Sequence, residues 1–345
     1  MKHRLDRRQF LQSTGLFALG LAASPLAAPH VATANTTPIK VVSNPGLENA
    51  TLNALMNQQG YLRQLGVNAM FIEVPGVSGP FDAIASGAAD VCMVSGYNGV
   101  LPGIAQGAKV KLIGAGMRKC ALTVFAKPNG IRTVADLKGK SIAVGPATGL
   151  LHMLMIRLLQ KAGMDASQVT FINKGSNDEC HEAVVKGDAD ASCSSISHLN
   201  DDDGLVTIAG GNLWEALPEC VFQTAYASDS ALVNKREELV ALMAAYGALY
   251  EYLMTPASHD AFFEARQRTQ KHFDEASAQA VWTFNQTQQP YSGNLALTRG
   301  DITYLQDMHL DFGTLKLKQT IDALADMSPA QDAAQMLNRL NSGKG

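Results

Sequence analysis

The chain has 345 residues, 46% of them hydrophobic and 17% charged, with a formal net charge of −3. That length suggests two domains, and the apolar fraction excludes a disordered chain and permits a sizeable core. Lys and Arg are scattered outside the N-terminus, so the charge pattern argues against a nucleic-acid or anionic-membrane partner.

In chain order the first feature is residues 1–34, which run from a basic patch (Lys2, Arg4, Arg7, Arg8) through an apolar stretch, Leu16 to Ala23, to small residues. Ala32-Thr33-Ala34 fits a small-x-small cleavage site, so the segment reads as a signal peptide; its apolar part is too short for a mature membrane span. Asp6-Arg7-Arg8-Gln9-Phe10-Leu11-Gln12 resembles the twin-arginine export motif, although Asp6 and Gln12 stand where Ser or Thr and Lys are usual. A Sec signal is the alternative, and export through either machinery leaves a mature chain beginning near Asn35. The first cysteine is Cys92, which argues against a lipid anchor on an N-terminal cysteine. Five cysteines (92, 120, 180, 193, 220) in an exported chain allow disulfides but leave at least one thiol free, and the lack of a Cys-x-x-Cys pair argues against structural zinc.

After Asn35 short apolar runs alternate with helical patterns. PIKVVSN (38–44) reads as a strand ending in the turn Asn44-Pro45-Gly46, and LENATLNALMNQQGYLRQLG as a helix stopping at Gly66. VNAMFIEVPG and ADVCMVSGYN are the second and third strands around a short helix, and GVLPGIAQGAKVKLIGAGM continues with helix and strand. CALTVFAKP (120–128) is a longer β-rich run. The βα rhythm then restarts with SIAVGPATG, a helix to Gly163, QVTFINKG, the helix NDECHEAVVKG, and DADASCSSIS. A second β-rich run, VFQTAYASDSALV (221–233), closes this unit, and from Asn234 onward the period is helical. Such alternation implies an α/β fold with two mainly parallel sheets. The two long runs imply that the chain leaves a first lobe near Ala121, builds a second, and returns near Phe222. Two crossing hinge strands then separate lobes whose cleft is the ligand site.

TVADLKGKSIAVGPATGLLHMLMIRLLQKAGMDASQVTFI and the upstream FDAIASGAADVCMVSGYNGVLPGIAQGAKVKLIGAG, with its Gly-x-x-Asp after a helix, resemble periplasmic solute-binding proteins of ABC importers. The nearest class is the sulfonate/nitrate/taurine type, which includes thiamine-pyrimidine-precursor binders and the related pyrimidine synthases. The resemblance covers roughly residues 38 to 255. It implies the two-lobed periplasmic-binding-protein fold of type II, with residues 1–34 as signal peptide, 35–120 and 223–345 forming lobe I with the C-terminal helices, and 121–222 forming lobe II. The implied function is that of a monomeric periplasmic receptor, not an enzyme, which hands a small solute to an inner-membrane ABC permease without cofactor, metal or nucleic acid. The rivals are a synthase-like enzyme of the same fold, whose relatives carry a cysteine-rich iron motif and no export signal, and a receptor for a TRAP-type transporter or sensor kinase.

Ligands in such sheets sit at the carboxyl ends of the strands. Carried over position by position, the resemblance places Asn44 and Pro45, then Ser78, then Ser95, Gly96 and Tyr97 at the cleft in lobe I, with Met117 and Arg118 at the hinge entry. In lobe II it places Thr148 and Gly149, Lys174 and Gly175, and Ser194 and Ser195; His152 and Trp214 are further candidates. Arg118 suits a carboxylate or sulfonate, since a guanidinium binds such groups bidentately. Tyr97 and Trp214 suit stacking on a planar ligand, with core packing the competing role. Lys174 and the turn at Thr148, whose free N–H groups favour an oxygen, also point to an organic anion, while the hydroxyls and aromatics would equally serve a neutral heterocycle. Nucleotide readings fail on spacing: Val134 stands where a P-loop before Gly139-Lys140-Ser141 needs glycine, and Gly145 and Gly149 miss G-x-G-x-x-G. Cys180-His181 reads as part of a packed helix. Asp201-Asp202-Asp203-Gly204 misses the EF-hand spacing and reads as a solvated acidic turn. Cys120 and Cys220 start the two crossing runs, so a hinge-pinning disulfide is one of the open pairings.

Overall fold

The computed structural model describes residues 37–147 and 149–342; the signal-peptide expectation for residues 1–34 and the role assigned to Thr148 lie outside the described residues. Among the described residues, ten strands form two five-stranded sheets. They are β1 (Ile39–Ser43), β2 (Ala69–Glu73), β3 (Val91–Ser95), β4 (Val110–Ala115), β5 (Leu122–Ala126), β6 (Ser141–Val144), β7 (Thr170–Asn173), β8 (Ala191–Ser195), β9 (Val206–Thr207) and β10 (Thr224–Ser228). The first sheet has the order β2-β1-β3-β10-β4 and the second β7-β6-β8-β5-β9. In each, three parallel strands are followed by one antiparallel strand that arrives from the other sheet: β10 in the first, β5 in the second. The chain therefore crosses between the sheets twice, between β4 and β5 and again before β10.

A local device recurs in both sheets. Gly87 (φ +80°) and Gly187 (φ +83°) end helices in the left-handed region, which glycine tolerates because it has no Cβ. Three residues later an aspartate reaches back to the first of its sheet's three parallel strands, β1 or β6. Asp90 Oδ2 accepts from Lys40 N at 2.7 Å, and Asp190 Oδ2 accepts from Ser141 N at 2.8 Å. Gly-x-x-Asp is thus a strand-registering clamp in each half.

Two expected elements differ. The helix drawn to Gly66 breaks into Leu47–Gln59 and Tyr61–Gln64, because Gly60 at φ +70° closes the first as a left-handed cap. The run 221–233 is strand only through Ser228, whose hydroxyl then accepts from Ala231 N and starts the helix Asp229–Asn234.

Among the described residues the buried apolar side chains form three clusters, two of them large. One cluster runs from Leu101 and Leu112 through Cys120 and Leu122 to Ile142 and Leu158, joining the two sheets. A second packs the other face of the first sheet, at Ile39, Val41 and Met93, against the helices Arg236–Leu253, His259–Thr269, Glu275–Gln288 and Ser328–Ser342. Among the described residues no helix is long and apolar enough to cross a membrane.

Candidate functional site

The carboxyl ends of β1, β7 and β8, the start of β10 and two C-terminal helices enclose a cavity of about 450 Å³. Its first wall is Pro45 to Asn49, where the turn after β1 enters the helix Leu47–Gln59 and Asn49 Nδ2 donates to the Asn44 carbonyl at 2.7 Å. The second wall is Ser176 to Asp178 with Ser195, Ser197, His198 and Asp201. There Ser176 and Glu179 form a capping box, so the helix Asn177–Lys186 starts at the cavity with its first N–H groups partly satisfied. Gln223 comes from the crossing segment, and Arg266, Gln270, Asp274 and Ser277 from the helices behind. A smaller, more apolar space of about 160 Å³ shares Glu48, Asn177, Ser195 and Gln223 with it and continues to Met117, Phe222, Phe284 and Tyr291.

Arg266 is the unusual group in this cleft. It has no solvent exposure, yet Nε, Nη1 and Nη2 lack hydrogen-bond acceptors. Its Nη2 stands 2.9 Å from Glu48 Oε1, a charge contact without hydrogen-bond alignment, and its guanidinium lies 5.5 Å from the Phe262 ring centre. A buried guanidinium with unmet donors is costly unless an oxygen anion reaches it. Asn49 Oδ1, Gln223 Oε1 and Asn285 Oδ1 are likewise buried without partners around the cleft. Burial, with the Glu48 charge adding to it, pushes the Tyr291 hydroxyl up, so this tyrosine stays neutral.

The acids of the cleft are already engaged. Glu48 faces Arg266, and Asp274 caps its helix by accepting from Ser277 N at 2.9 Å. His198 Nδ1 meets Asp201 Oδ2 at 2.7 Å and its Nε2 meets Asp178 Oδ1 at 3.1 Å. Burial opposes the charged form of His198, but these two carboxylates outweigh it and hold its pKa above the ordinary value. The same hydrogen bond to His198 holds the Asp178 carboxyl below its usual range. His181 stacks on His198 at 4.0 Å; burial first, and the neighbouring charge second, lower its pKa.

Of the sixteen residues that sequence reasoning put at the ligand, Pro45, Met117 and Ser195 line these spaces. Asn44 and Ser95 brace the wall from behind: the Asn44 N–H donates to Ser95 Oγ, and Asn44 Nδ2 donates to the Val74 and Gly76 carbonyls. Ser194 donates to the Asn177 carbonyl at 2.6 Å and so positions the next helix start. The loop with Gly96 and Tyr97 packs against the helix Leu150–Lys161 instead, with Leu150 beside Gly96 and Asn98 Nδ2 on Met153 Sδ at 3.3 Å. Tyr97 is fully buried against His309 and Cys220. Gly149 is buried, its N–H donating to the Pro146 carbonyl, and His152 is held by the Ala147 carbonyl and the Phe171 ring. Ser78 bonds Asp82, and Gly175, at φ +94°, shapes the turn before Ser176. Arg118 is committed to Asp301 at 2.9 Å and to the Ala296 carbonyl, and Lys174 to Asp188 at 3.0 Å, so neither cation reaches the cleft. Trp214 stands edge-on to Phe284, lining a separate hollow. All five cysteines are buried and unpaired, so the Cys120–Cys220 disulfide is not formed.

Sequence reasoning missed Glu48, Asp178, His198, Gln223 and Arg266. Asp178 and Gln223 lay beside named positions, but Arg266 sits in a helical tail with no sequence signal that points to a cleft.

The profile of the NMT1/THI5-like family matches residues 51–258. No curated protein matches the chain. Among solved structures, the periplasmic sulfonate-binding protein SsuA of Methylobacillus flagellatus is similar at 16% identity and a TM-score of 0.68, covering 88% of this chain and 95% of its own. The periplasmic aliphatic sulphonate-binding protein SsuA of Escherichia coli is similar at 16% identity and a TM-score of 0.68, covering 84% and 92%. The desulfurization enzyme DszB is similar at 14% identity and a TM-score of 0.57, covering 88% and 100%. Together with the two sheets and their double crossover, these likenesses establish the periplasmic-binding-protein fold. With three fifths of its length under the family profile, the chain belongs to the NMT1/THI5-like family.

Proposed function

We propose that the chain is an exported, monomeric solute receptor that holds a small organic anion, a carboxylate or sulfonate, between two lobes and delivers it to an ABC permease. The observation that carries this reading is Arg266, wholly buried at the cleft with its donors unmet. Its proposed catch is an anionic head that takes the place of the Glu48 carboxylate, which is 44% exposed and free to turn outward. Polar partners for the rest of the ligand come from Asn49, Gln223, Ser195 and Ser197. The sulfonate-binding relatives support an anion, and β5 to β9 falling within residues 121–222 supports a second lobe with those bounds.

In this mechanism no bond is made or broken. Contacts from Arg266 on one wall and from Ser195 to His198 on the other exist together only when the lobes are closed, so ligand draws the population toward the closed form. The resemblance of residues 1–34 to a twin-arginine signal supports a periplasmic location, where a membrane permease would take the cargo. The test is a thermal-shift screen of the chain beginning at Asn35 against sulfonates, aromatic carboxylates and neutral pyrimidines. Stabilisation should rise with the logarithm of anion concentration. Stabilisation by neutral heterocycles alone would refute the anion assignment.

A further inference from the structure

The cleft that holds Arg266 extends into the smaller, more apolar chamber of about 160 Å³, which shares Glu48, Asn177, Ser195 and Gln223 with the larger cavity. Leu52 comes to the chamber from the helix Leu47–Gln59, and Met117 and Phe222 come from the two crossing segments. Val281, Phe284 and Asn285 stand at i, i+3 and i+4 of the helix Glu275–Gln288, so one face of that helix forms a wall beside Tyr291. The aromatic walls are fixed by their own neighbours. Phe284 is edge-on to Trp214 at 5.2 Å, and Tyr291 stacks on Tyr250 at 4.8 Å with 15° between the rings. We infer that the solute is a single-ring aryl carboxylate or sulfonate with a hydroxyl or amino group on the ring, its acid head at Arg266 and its ring in this chamber. The inference rests on the anion reading of the same cleft and narrows it.

Size selects one ring. An apolar cavity of about 150 Å³ takes up benzene, so a chamber of about 160 Å³ admits one six-membered ring and not two fused ones. Phe222, Phe284 and Tyr291 offer the faces and edges that an aromatic guest packs against. An alkyl chain of equal carbon count gains less there, because it also loses rotamer freedom on entry. The chamber meets the arginine at Tyr291, whose hydroxyl feels the charges of both Glu48 and Arg266. Head and ring therefore belong to one molecule. The ring substituent follows from two amides. Asn285 is 1% exposed and its Oδ1 has no partner, and Gln223 Oε1, on the boundary of the two spaces, is buried without one. A bare ring would leave both acceptors unmet, whereas a ring O–H or N–H donates to one of them.

The test titrates the chain beginning at Asn35 by calorimetry with parallel carboxylates and sulfonates. The head-only pair is acetate and methanesulfonate, and the chain pair is heptanoate and hexane-1-sulfonate. The ring pair is benzoate and benzenesulfonate with their 3- and 4-hydroxy derivatives, and the fused pair is 2-naphthoate and naphthalene-2-sulfonate. In at least one series the better hydroxyaryl anion should bind about tenfold or more tighter than the head alone, the gain expected from burying a ring. It should bind about fivefold tighter than the unsubstituted ring, and the naphthyl compound should bind more weakly than either. Val281→Phe, which grows into the chamber, should erase the preference for benzoate over acetate. Head-only or alkyl anions matching the ring compounds, a naphthyl compound binding best, or a hydroxyl that gains nothing would each overturn the inference and leave the anion reading standing. A ring preference that survives Val281→Phe would do the same. Should that variant fail to fold, Ala121→Leu fills the chamber from the crossing segment, and the ligand series on the unaltered chain remains decisive. Binding of none of these anions would refute the anion reading and this inference with it.

Discussion

Replacing His309 should remove a specific acid sensitivity from this protein. The residue lies in the helix Arg299–Asp311 with no solvent exposure; its Nδ1 meets Thr314 Oγ1 at 2.7 Å and its Nε2 has no partner. Burial pushes its pKa down from 6.5 to about 4. Above pH 6.5 the imidazole is neutral in both the folded and unfolded chains and contributes nothing to the pH dependence. Between pH 6.5 and 4 the unfolded chain takes up a proton that the folded one refuses, so stability falls as pH falls; below pH 4 both forms are protonated and the loss is complete. The gap from 6.5 to about 4, at roughly 1.36 kcal/mol per pKa unit, amounts to about 3 kcal/mol. That is a large share of a typical folding free energy of about 5–15 kcal/mol. The assay is urea unfolding at pH 8, 7, 6, 5 and 4 for the unaltered chain and for His309→Phe, which keeps an aromatic ring beside Tyr97. Carboxylate titrations common to both cancel in the difference. The stability of the variant relative to the parent should rise by about 3 kcal/mol from pH 7 to pH 4. Parallel curves would show that His309 accepts its proton in place, and the burial argument would be wrong.

Four further outcomes follow from individual contacts and from burial. Gly247→Ala should destabilise by about 1–3 kcal/mol in thermal unfolding, although helix propensity alone favours alanine by about 1 kcal/mol, because the new Cβ would stand 2.7 Å from the Gly293 carbonyl and 2.8 Å from Leu337 Cδ1; a more stable variant refutes that packing. Arg266→Met should keep the fold, since apolar replacement of a buried ion-pair member is tolerated when its partner reaches water, but should erase anion-induced stabilisation. Glu48→Gln should tighten anion binding, and calorimetry showing unchanged affinity in both variants sinks the displacement scheme. Thiol titration should find five reactive groups after denaturation and negligible reaction before it, since every cysteine is buried and burial raises the Cys180 thiol to about 12; three thiols would mean that a disulfide forms.

Much of the fold is legible along the chain because its causes are local. Alternating apolar runs and helical periods locate β1 to β8, and the Gly-x-x-Asp clamps at Asp90 and Asp190 repeat in plain sight. Even the double crossing follows from two long β-rich runs that have no helix of their own to return them. The two-residue β9 and the glycine break at position 60 were not legible, since one is too short for a period and the other needs a φ of +70°.

The cleft divides differently. Position along a strand tells which loops face it, and that suffices for Pro45, Met117 and Ser195. It does not tell which cations are already spoken for: Arg118 is taken by Asp301, 183 residues away, and Lys174 by Asp188. Nor does it bring Arg266 against Glu48, or His181 against Asp203, because charges pair across space and a sequence records only order. The sequence by itself determined the α/β rhythm and the strand ends that face the cleft, through periodicity and turn chemistry. Only the tertiary structure decided which side chains meet there, because burial and partnership are properties of the packed chain.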